Sequence, residues 1–250
     1  MSRLASLKFA LPAAVLLSGP AMADLSQMTD AERDTFRSEV RAYLLDNPEV
    51  LMEAIAVLEQ RQTQAQATAD QSLVMAMQDQ IFNDGYSWVG GNPEGDITIV
   101  EFMDYRCGYC RRAFQEVEDL VGQDGNIRFV LKEFPILGEG STLSSQFAVA
   151  VQQLHGADTY KDIHDALIQM QPDATPETLA MLAETFGLDP QPILERMESP
   201  EVAQVIETNH ALANQLQISG TPTFIIGGQM VRGYLPLAQL EQIVSDERAR

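Results

Sequence analysis

The sequence EFMDYRCGYCRRAFQEV, residues 101–117, passes from a predicted strand into a predicted helix at a pair of cysteines. The preceding run DITIVEFMD is β-branched and nearly continuously apolar, which is typical of a central strand buried on both faces. After it, Phe114, Val117 and Val121 fall on one side of a helix that begins at Cys107. A second strand is predicted in NIRFVLKEF, residues 126–134, so the cysteines lie at the strand–helix junction of a βαβ unit.

Cys107 and Cys110 are the only cysteines in the 250 residues. A purely structural disulfide across so short a loop would stabilise the fold little. A structural zinc site needs about four ligands, and the histidines lie in predicted helices far from the pair, where we expect ordinary helix residues: His155, His164 and His210. A redox dithiol needs only two sulfurs and a helix N-terminus that stabilises a thiolate. The pattern therefore favours a redox pair, and neither a metal nor a cofactor is expected.

The positions of the two cysteines predict their roles. Cys107, at the helix start, is expected to be the attacking thiolate, and Cys110, one turn further on, is expected to be the buried resolving thiol. Arg106, Arg111 and Arg112 flank the pair. They would either lower the thiolate pKa further or form an ordinary solvated helix start, and the sequence leaves both interpretations open.

The C-terminal half predicts a run of helices followed by a small hairpin. Helical periodicity and repeated cap–proline pairs extend over residues 141–217. The segment GTPTFIIGGQMVRG then indicates two short strands joined by a turn at Gly227 and Gly228. A closing helix is predicted from Leu237 to about Asp246.

The N-terminus predicts export. Residues 1–23 combine Arg3 and Lys8 with a short apolar run and an Ala-Met-Ala end, which is typical of a signal peptide cleaved after Ala23. The run is too short to span a membrane, and no other segment is long and apolar enough. We therefore expect a periplasmic protein that does not insert into the membrane.

Residues 24–82 form a predicted helical appendage, and residues 83–250 form the main domain. Apolar residues recur at helical spacing in the appendage, at Phe36, Val40, Leu51 and Ile55, and the apolar stripe of the Ala- and Gln-rich stretch from Gln60 to Gln80 is thin. Such stripes either fold back onto the main domain or pack against copies of themselves, and we favour self-association.

The whole chain is acidic, with 36 Asp and Glu against 16 Lys and Arg and a net charge of −20. Nucleic acids and anionic membranes are bound by basic surfaces. The composition therefore argues against both as partners.

The motifs together resemble a known family. The segments EFMDYRCGYCRRAFQEVEDLV, FVLKEFPILG and GTPTFIIGGQMVRGY are similar to those of the DsbA-like thioredoxin-fold proteins of the bacterial periplasm. The N-terminal segment FRSEVRAYLLDNPEVLMEAIAVLEQRQ resembles the extra N-terminal region of the suppressor-of-copper-sensitivity C (ScsC) group. In some members of that group this region forms a trimer, and the trimer is a disulfide isomerase. The resemblance implies an α/β thioredoxin fold with an inserted helical subdomain and an N-terminal helical oligomerisation region.

The resemblance also implies roles for particular residues. Thr221 and Pro222 match a cis-proline loop that binds substrate against the cysteines; the alternative is an ordinary trans turn. Glu101 matches a buried acid that exchanges protons with Cys110; the alternative is a core acid without a catalytic part. Lys132 is a candidate partner of Glu101.

Gly108 and Tyr109, between the cysteines, are also expected to contact substrate. They resemble the CGYC of DsbC-type isomerases rather than the CPHC of the oxidase DsbA. Many ScsC relatives carry proline at the position of Gly108, so the dipeptide alone does not determine the redox potential.

The leading hypothesis is a trimeric disulfide isomerase or reductase acting on exported cysteine-containing proteins, with a membrane thiol reductase or oxidase as redox partner. Two alternatives stay open. One is a monomeric DsbA-type oxidase. The other is a Cu(I)-binding protein of copper tolerance that uses the same two thiolates.

Overall fold

The computed structural model describes residues 28–171 and 173–249, so the predicted signal peptide lies outside the described residues. These residues form a five-stranded sheet in the order β1-β3-β2-β4-β5. The strands are β1 Trp88–Gly91, β2 Ile97–Met103, β3 Ile127–Glu133, β4 Thr223–Ile226 and β5 Gln229–Arg232. The predicted strands and the C-terminal hairpin are thus confirmed.

The central βαβ unit follows from the apolar run that the sequence contains. Strands β2 and β3 are parallel and are joined by α4, Gly108–Asp124. Because side chains alternate between the faces of a strand, Ile99 and Glu101 lie on one face of β2, whereas Val100 and Phe102 lie on the other. Both faces are covered, which explains the nearly continuous apolar pattern of β2.

A helical insertion separates β3 from β4, as predicted. Three of its helices begin with a capping side chain followed by proline at the first helical position: Thr175, Asp189 and Ser199 each accept a hydrogen bond from a backbone N–H of the first turn. The helices are α5 Glu139–His155, α6 Ala157–Gln169, α7 Pro176–Thr185, α8 Pro190–Met197 and α9 Pro200–Gln215, and α10, Leu237–Arg248, closes the chain.

The chain divides into two compact units, Met1–Gln60 and Arg61–Arg250. In the first unit, α1, Asp30–Asp46, begins with a capping box in which Thr29 and Glu32 bond each other's backbone N–H. No described residue of α1 is buried, and large apolar side chains such as Phe36 and Val40 are exposed. The next helix, α2, spans Glu49–Ala76, so the division falls within it.

Residues 61–82 belong to the second unit, which differs from the predicted boundary at residue 82. Val74 of α2 and Ile81 of α3, Gln78–Phe82, are buried in the same apolar cluster as Val100 and Phe102 of β2. Asp70 of α2 forms a two-pronged ion pair with Arg232 of β5. The thin stripe of this segment therefore covers the sheet, a tertiary contact that its local periodicity does not reveal.

In the described part of the chain, no helix is both long and apolar enough to cross a membrane.

Candidate active site

A buried aspartate holds the turn that leads from β2 into α4. Asp104 accepts hydrogen bonds from the backbone N–H groups of Arg106, Ile136 and Leu137 and from the hydroxyl of Ser141. Its carbonyl oxygen accepts the backbone N–H of Cys107 at 3.0 Å. This network fixes Cys107 as the N-terminal cap of α4.

Cys107 has the environment of a stabilised thiolate. The pKa of Cys107 is lowered to about 5, and the largest cause is a hydrogen bond from the side chain of Cys110. The backbone N–H groups of Cys110 and Tyr109 lower the pKa further, whereas burial raises it. Free N–H groups at a helix start favour negative charge in this way. Cys107 is therefore ionised at neutral pH, although only 7% of its surface is exposed.

Cys110 has the opposite character. It lies one turn into α4 and is 1% exposed. Burial is the largest cause that raises its pKa well above the ordinary value, and its bond to Cys107 and the charge of Glu101 add to the shift. The two thiols are both free, and one is ionised while the other is kept protonated.

Glu101 lies on the face of β2 that α4 covers, and 6% of it is exposed. Burial is the largest cause that raises its pKa to about 8, followed by repulsion from Cys107 and Glu118. The charge of Glu101 in turn raises the pKa of the Cys110 thiol. A carboxyl that titrates near neutral pH beside a protonated thiol can act as its proton acceptor.

The expected pairing of Lys132 with Glu101 is wrong. The Nζ of Lys132 donates to the carboxylate of Asp84 and to the carbonyl oxygen of Gln80. Lys132 and Glu101 come from neighbouring strands, but Lys132 faces the opposite side of the sheet, since it is in register with Phe102. Burial lowers the pKa of Lys132, while Asp84 opposes that shift.

The Thr221–Pro222 peptide bond is cis, as the resemblance implied. The carbonyl oxygen of Thr221 lies 3.2 Å from the sulfur of Cys107 and accepts its hydrogen bond when the thiol is protonated. On the other side of the loop, the carbonyl oxygen of Pro222 accepts the N–H of Gly233 at 2.9 Å. The fold therefore brings Thr221 and Pro222 against the cysteine pair.

Gly108 and Tyr109 lie at the surface between the two cysteines. The ring of Tyr109 stacks on Tyr234, with centroids 6.5 Å apart, and the guanidinium of Arg112 lies over Tyr234 at 4.3 Å. Glu116 accepts hydrogen bonds from the Tyr234 hydroxyl and the backbone N–H of Leu237. Sequence reasoning missed Tyr234, since only its position just after the GTPTFIIGGQMVRG segment connects it with the cysteines.

The other two arginines turn away from that stack. Arg106 forms an ion pair with Asp173 at 2.7 Å, and the Nε of Arg111 donates to the carbonyl oxygen of Tyr105 at 2.9 Å. The largest causes of the low Cys107 pKa are hydrogen bonds rather than these charges.

Within the described residues, no group of three or more His, Cys, Asp or Glu side chains is arranged to hold a metal ion. The functional groups of the site are an ionised thiol, a protonated thiol and a titratable carboxyl beside a cis-proline loop. Such a set can exchange thiols with disulfides.

Comparison with known families agrees with this chemistry. The family model of the DSBA-like thioredoxin domain matches residues 98–245, and that of the copper resistance protein ScsC N-terminal domain matches residues 32–65. A thioredoxin-like oxidoreductase from Silicibacter pomeroyi DSS-3 is 42% identical, with a TM-score of 0.65 over 69% of this chain and 98% of that one. A linker-deletion mutant of Proteus mirabilis ScsC is 25% identical, with a TM-score of 0.66 over 89% of this chain and 98% of that one.

Similarity extends to proteins with other names. Disulfide bond formation protein D of Bacillus subtilis (strain 168) is 24% identical over 167 residues, which are 63% of this chain and 75% of that protein. The chain also matches several Na⁺/H⁺ antiporter NhaA proteins, but it spans only 22% to 25% of their length.

Proposed function

This chain belongs to the DsbA-like thioredoxin family and carries an N-terminal domain of the ScsC type, and from this we propose that it is a periplasmic protein disulfide isomerase that works as a homotrimer. Its family is that of the thiol-disulfide oxidoreductases of the DsbA and ScsC type. We propose exported proteins with mispaired cysteines as its substrates and a membrane thiol reductase as the partner that keeps Cys107 and Cys110 reduced. Cleavage of the signal peptide after Ala23 belongs to the same proposal.

The chemistry begins with attack by the Cys107 thiolate on a client disulfide. One client sulfur becomes bonded to Cys107, and the other leaves as a thiolate. A second client thiolate can then attack the mixed disulfide, which regenerates the Cys107 thiolate and leaves the client with a new disulfide. No net oxidation or reduction has then occurred, as isomerisation requires.

Cys110 provides the exit from a mixed disulfide that does not rearrange. The Glu101 carboxylate accepts the proton of Cys110, whose sulfur attacks Cys107 and expels the client as a free thiolate. The client is reduced by two electrons, and the Cys107–Cys110 disulfide that forms must be reduced again by the membrane partner. In this scheme Thr221, Pro222, Gly108 and Tyr109 contact the client chain.

The observation that carries the trimer is the uncovered apolar surface of the first unit. Phe36, Val40 and Leu51 line a shallow apolar groove on α1 and the start of α2, and each is between 40% and 49% exposed. No described residue of α1 is buried, and a helix gains most of its stability by packing its apolar face against another surface. The apolar face of α1 therefore needs a partner surface. Copies of the same surface are the natural cover, and several sites around one stalk raise the effective concentration for a bound client.

One observation favours a second candidate, the DsbA-type oxidase. A pKa of about 5 at Cys107 stabilises the dithiol form, which makes the pair a better acceptor of electrons than a reductant. The oxidase would work as a monomer and donate its disulfide to reduced clients. The state of assembly therefore distinguishes the two candidates.

The test measures two activities, the refolding of scrambled ribonuclease and the oxidation of reduced ribonuclease. Three proteins are compared: the mature chain, a Val40→Asp variant, and a chain that begins at Arg61. Beginning at Arg61 keeps the buried Val74 and Ile81, which a chain beginning at Asn83 would lack. The proposal expects isomerase activity from the mature chain and its loss in both other proteins. If all three instead oxidise reduced ribonuclease equally and none isomerises, the oxidase is the correct function.

Size measurement by light scattering accompanies that assay. Val40→Asp is expected to convert the trimer into a monomer, whereas Arg33→Asp, at an exposed polar position of the same helix, is the matched control. A mature chain that is monomeric without any substitution would contradict the trimer.

The copper hypothesis has a separate test. The sulfurs of Cys107 and Cys110 suit Cu(I). Among the described residues, they do not belong to a group of three or more possible metal ligands. Titration of the reduced protein with Cu(I), beside Cys107→Ser and Cys110→Ser, would support copper binding only if both substitutions abolish it.

A further inference from the structure

A polar cavity is lined by the residues next to the two cysteines in sequence, Arg106 and Arg111. It has a volume of about 200 Å³ and lies between the turn before α4, the first turn of α4 and helices α5 and α6. Arg106 and Arg111 line it, together with Ser144, Gln171 and Asp173. We call it the arginine cavity.

Arg111 is held in the cavity with hydrogen-bonding capacity to spare. Its Nε donates to the carbonyl oxygen of Tyr105, which fixes the plane of the guanidinium. No described carboxylate forms an ion pair with it. A guanidinium carries five N–H donors in a planar fork that matches a carboxylate, so the outer nitrogens of Arg111 are available to a ligand.

Arg106 already binds a carboxylate in the same cavity. Asp173 lies 2.7 Å from its Nη1, and the side chain of Asp173 is 73% exposed. Ion pairs at such exposure are weak, because solvent screens them. An incoming carboxylate can therefore replace Asp173 at little cost and gain Arg111 as a second contact.

The charge of the whole protein makes this location distinctive. The chain has a net charge of −20, yet three of its 16 basic residues lie between positions 106 and 112. The long-range field of the protein repels acidic ligands, whereas the arginines attract them locally. The arginines are also not the main support of the Cys107 thiolate, whose low pKa has hydrogen bonds as its largest causes.

We propose that the arginine cavity binds an Asp or Glu side chain of the client, so that the site reacts preferentially with disulfides that have an acidic residue nearby. Arg106 precedes Cys107 directly, and an extended chain advances about 3.3–3.6 Å per residue, so the acidic residue should lie within about three positions of the attacked cysteine. This inference rests on the thiol-disulfide chemistry proposed above, but not on isomerisation or on the trimer.

The test uses two synthetic cystine peptides that differ only in Glu or Gln two positions from the cystine. The rate constant for their reaction with the reduced full chain is measured by stopped flow. The expected ratio of the Glu to the Gln rate is roughly two- to fivefold, as for a charge-assisted pair at a partly exposed site. General repulsion by the acidic protein would make the ratio smaller than one, so a preference for Glu identifies a local contact.

The decisive variants are Arg106→Gln and Arg111→Gln, and the matched control is Arg112→Gln. All three remove one positive charge near Cys107, but Arg112 lies over Tyr234 outside the cavity. The ratio is expected to fall toward one in the first two and to persist in the third. Circular dichroism and urea unfolding show that each variant is folded.

Three results would overturn the inference. A wild-type ratio near one, with rapid reaction of both peptides, removes the carboxylate preference while leaving the oxidoreductase intact. An equal fall of the ratio in all three variants would assign it to the general field rather than to the cavity. Absence of reaction with either peptide would overturn the proposed function and this inference together, whereas a normal ratio without isomerase activity would overturn only the isomerase.

Discussion

The side chain of Cys110 donates a hydrogen bond to the sulfur of Cys107 and is the largest single cause of the low Cys107 pKa. The resolving thiol thus prepares the attacking thiolate before any substrate arrives. Substituting Cys110 by alanine is expected to raise the Cys107 pKa from about 5 toward the ordinary cysteine value. Cys110→Ser keeps a donor and is expected to stay closer to the wild type.

The ultraviolet absorbance of the thiolate, followed against pH, measures this pKa in both variants. Equal values in Cys110→Ala and Cys110→Ser would mean that the backbone N–H groups, rather than the side chain of Cys110, stabilise the thiolate.

Glu101 predicts a pH-dependent cost to stability. Burial raises its pKa from 4.5 to about 8, so the unfolded chain ionises this carboxyl at a lower pH than the folded protein does. The contribution of Glu101 to the free energy of unfolding is therefore fully present below about pH 4.5 and is lost as the pH rises to about 8. The Glu101→Gln variant lacks this loss, so its free energy of unfolding should gain on the wild type by up to about 1.4 kcal/mol per pH unit in that window.

Urea unfolding at several pH values between 4.5 and 9, with Cys107→Ser present in both proteins, measures that difference without the titration of Cys107. A difference that stays constant with pH would mean that Glu101 has an ordinary pKa.

The buried pair of Lys132 and Asp84 predicts a large cost when one partner is removed. Both side chains are almost entirely inaccessible, so Lys132→Met leaves an unpaired carboxylate in the interior. The expected loss is about 3–5 kcal/mol in the free energy of unfolding. Arg37→Met is the control, since Arg37 and Asp34 are 70% and 77% exposed and such pairs contribute at most about 1 kcal/mol.

Lys132→Met also tests whether Lys132 pairs with Glu101, as the sequence suggested. In Lys132→Met, the dependence of stability on the ionisation of Glu101 should persist, because Lys132 contacts Asp84 instead. Loss of that dependence would indicate that Lys132 acts on Glu101.

Gly108 predicts that proline is tolerated between the cysteines. It is the first residue of α4, and a Cβ added there meets no atom within 4 Å. Because proline suits the first helical position and restricts the unfolded chain, Gly108→Pro should stabilise the protein by about 0.4–1 kcal/mol. Gly122→Pro is the control in the last turn of the same helix, where an added Cβ likewise meets no atom outside the helix's own backbone. It should cost about 3 kcal/mol, because proline lacks the N–H that bonds to the preceding turn and its ring clashes with that turn.

Thermal unfolding of the reduced proteins measures both changes. Destabilisation by Gly108→Pro comparable to that of Gly122→Pro would show that the N–H of Gly108 makes a necessary bond.

Local pattern explains why much of this fold was predictable. The apolar run of β2, the caps at Thr175 and Ser199, and the glycines of the C-terminal hairpin each act within a few residues. The positions of Cys107 and Cys110 followed from the same strand–helix junction. The cis bond before Pro222 was implied by family resemblance rather than by composition.

Contacts between distant residues were not predictable in this way. Asp84 precedes Lys132 by 48 positions, and Tyr234 follows Tyr109 by more than a hundred. Nothing in their neighbourhoods marks them as partners. Val74 belongs to a segment rich in Ala and Gln, whose weak stripe suits exposure as well as burial. Only the assembled sheet determines which of these side chains meet.

The ion pair of Asp70 with Arg232 has a consequence for aggregation. Strand β5 ends the sheet, and an end strand offers unpaired N–H and C=O groups on which another extended chain can grow. Residues 62–71 of α2 form the opposite wall of the groove along β5, and Asp70 ties that wall to the strand. A catalytic fragment that lacks α2 would expose the edge of β5, on which strands of other molecules can add to form fibrils. In a fragment that keeps α2, this helix covers that edge.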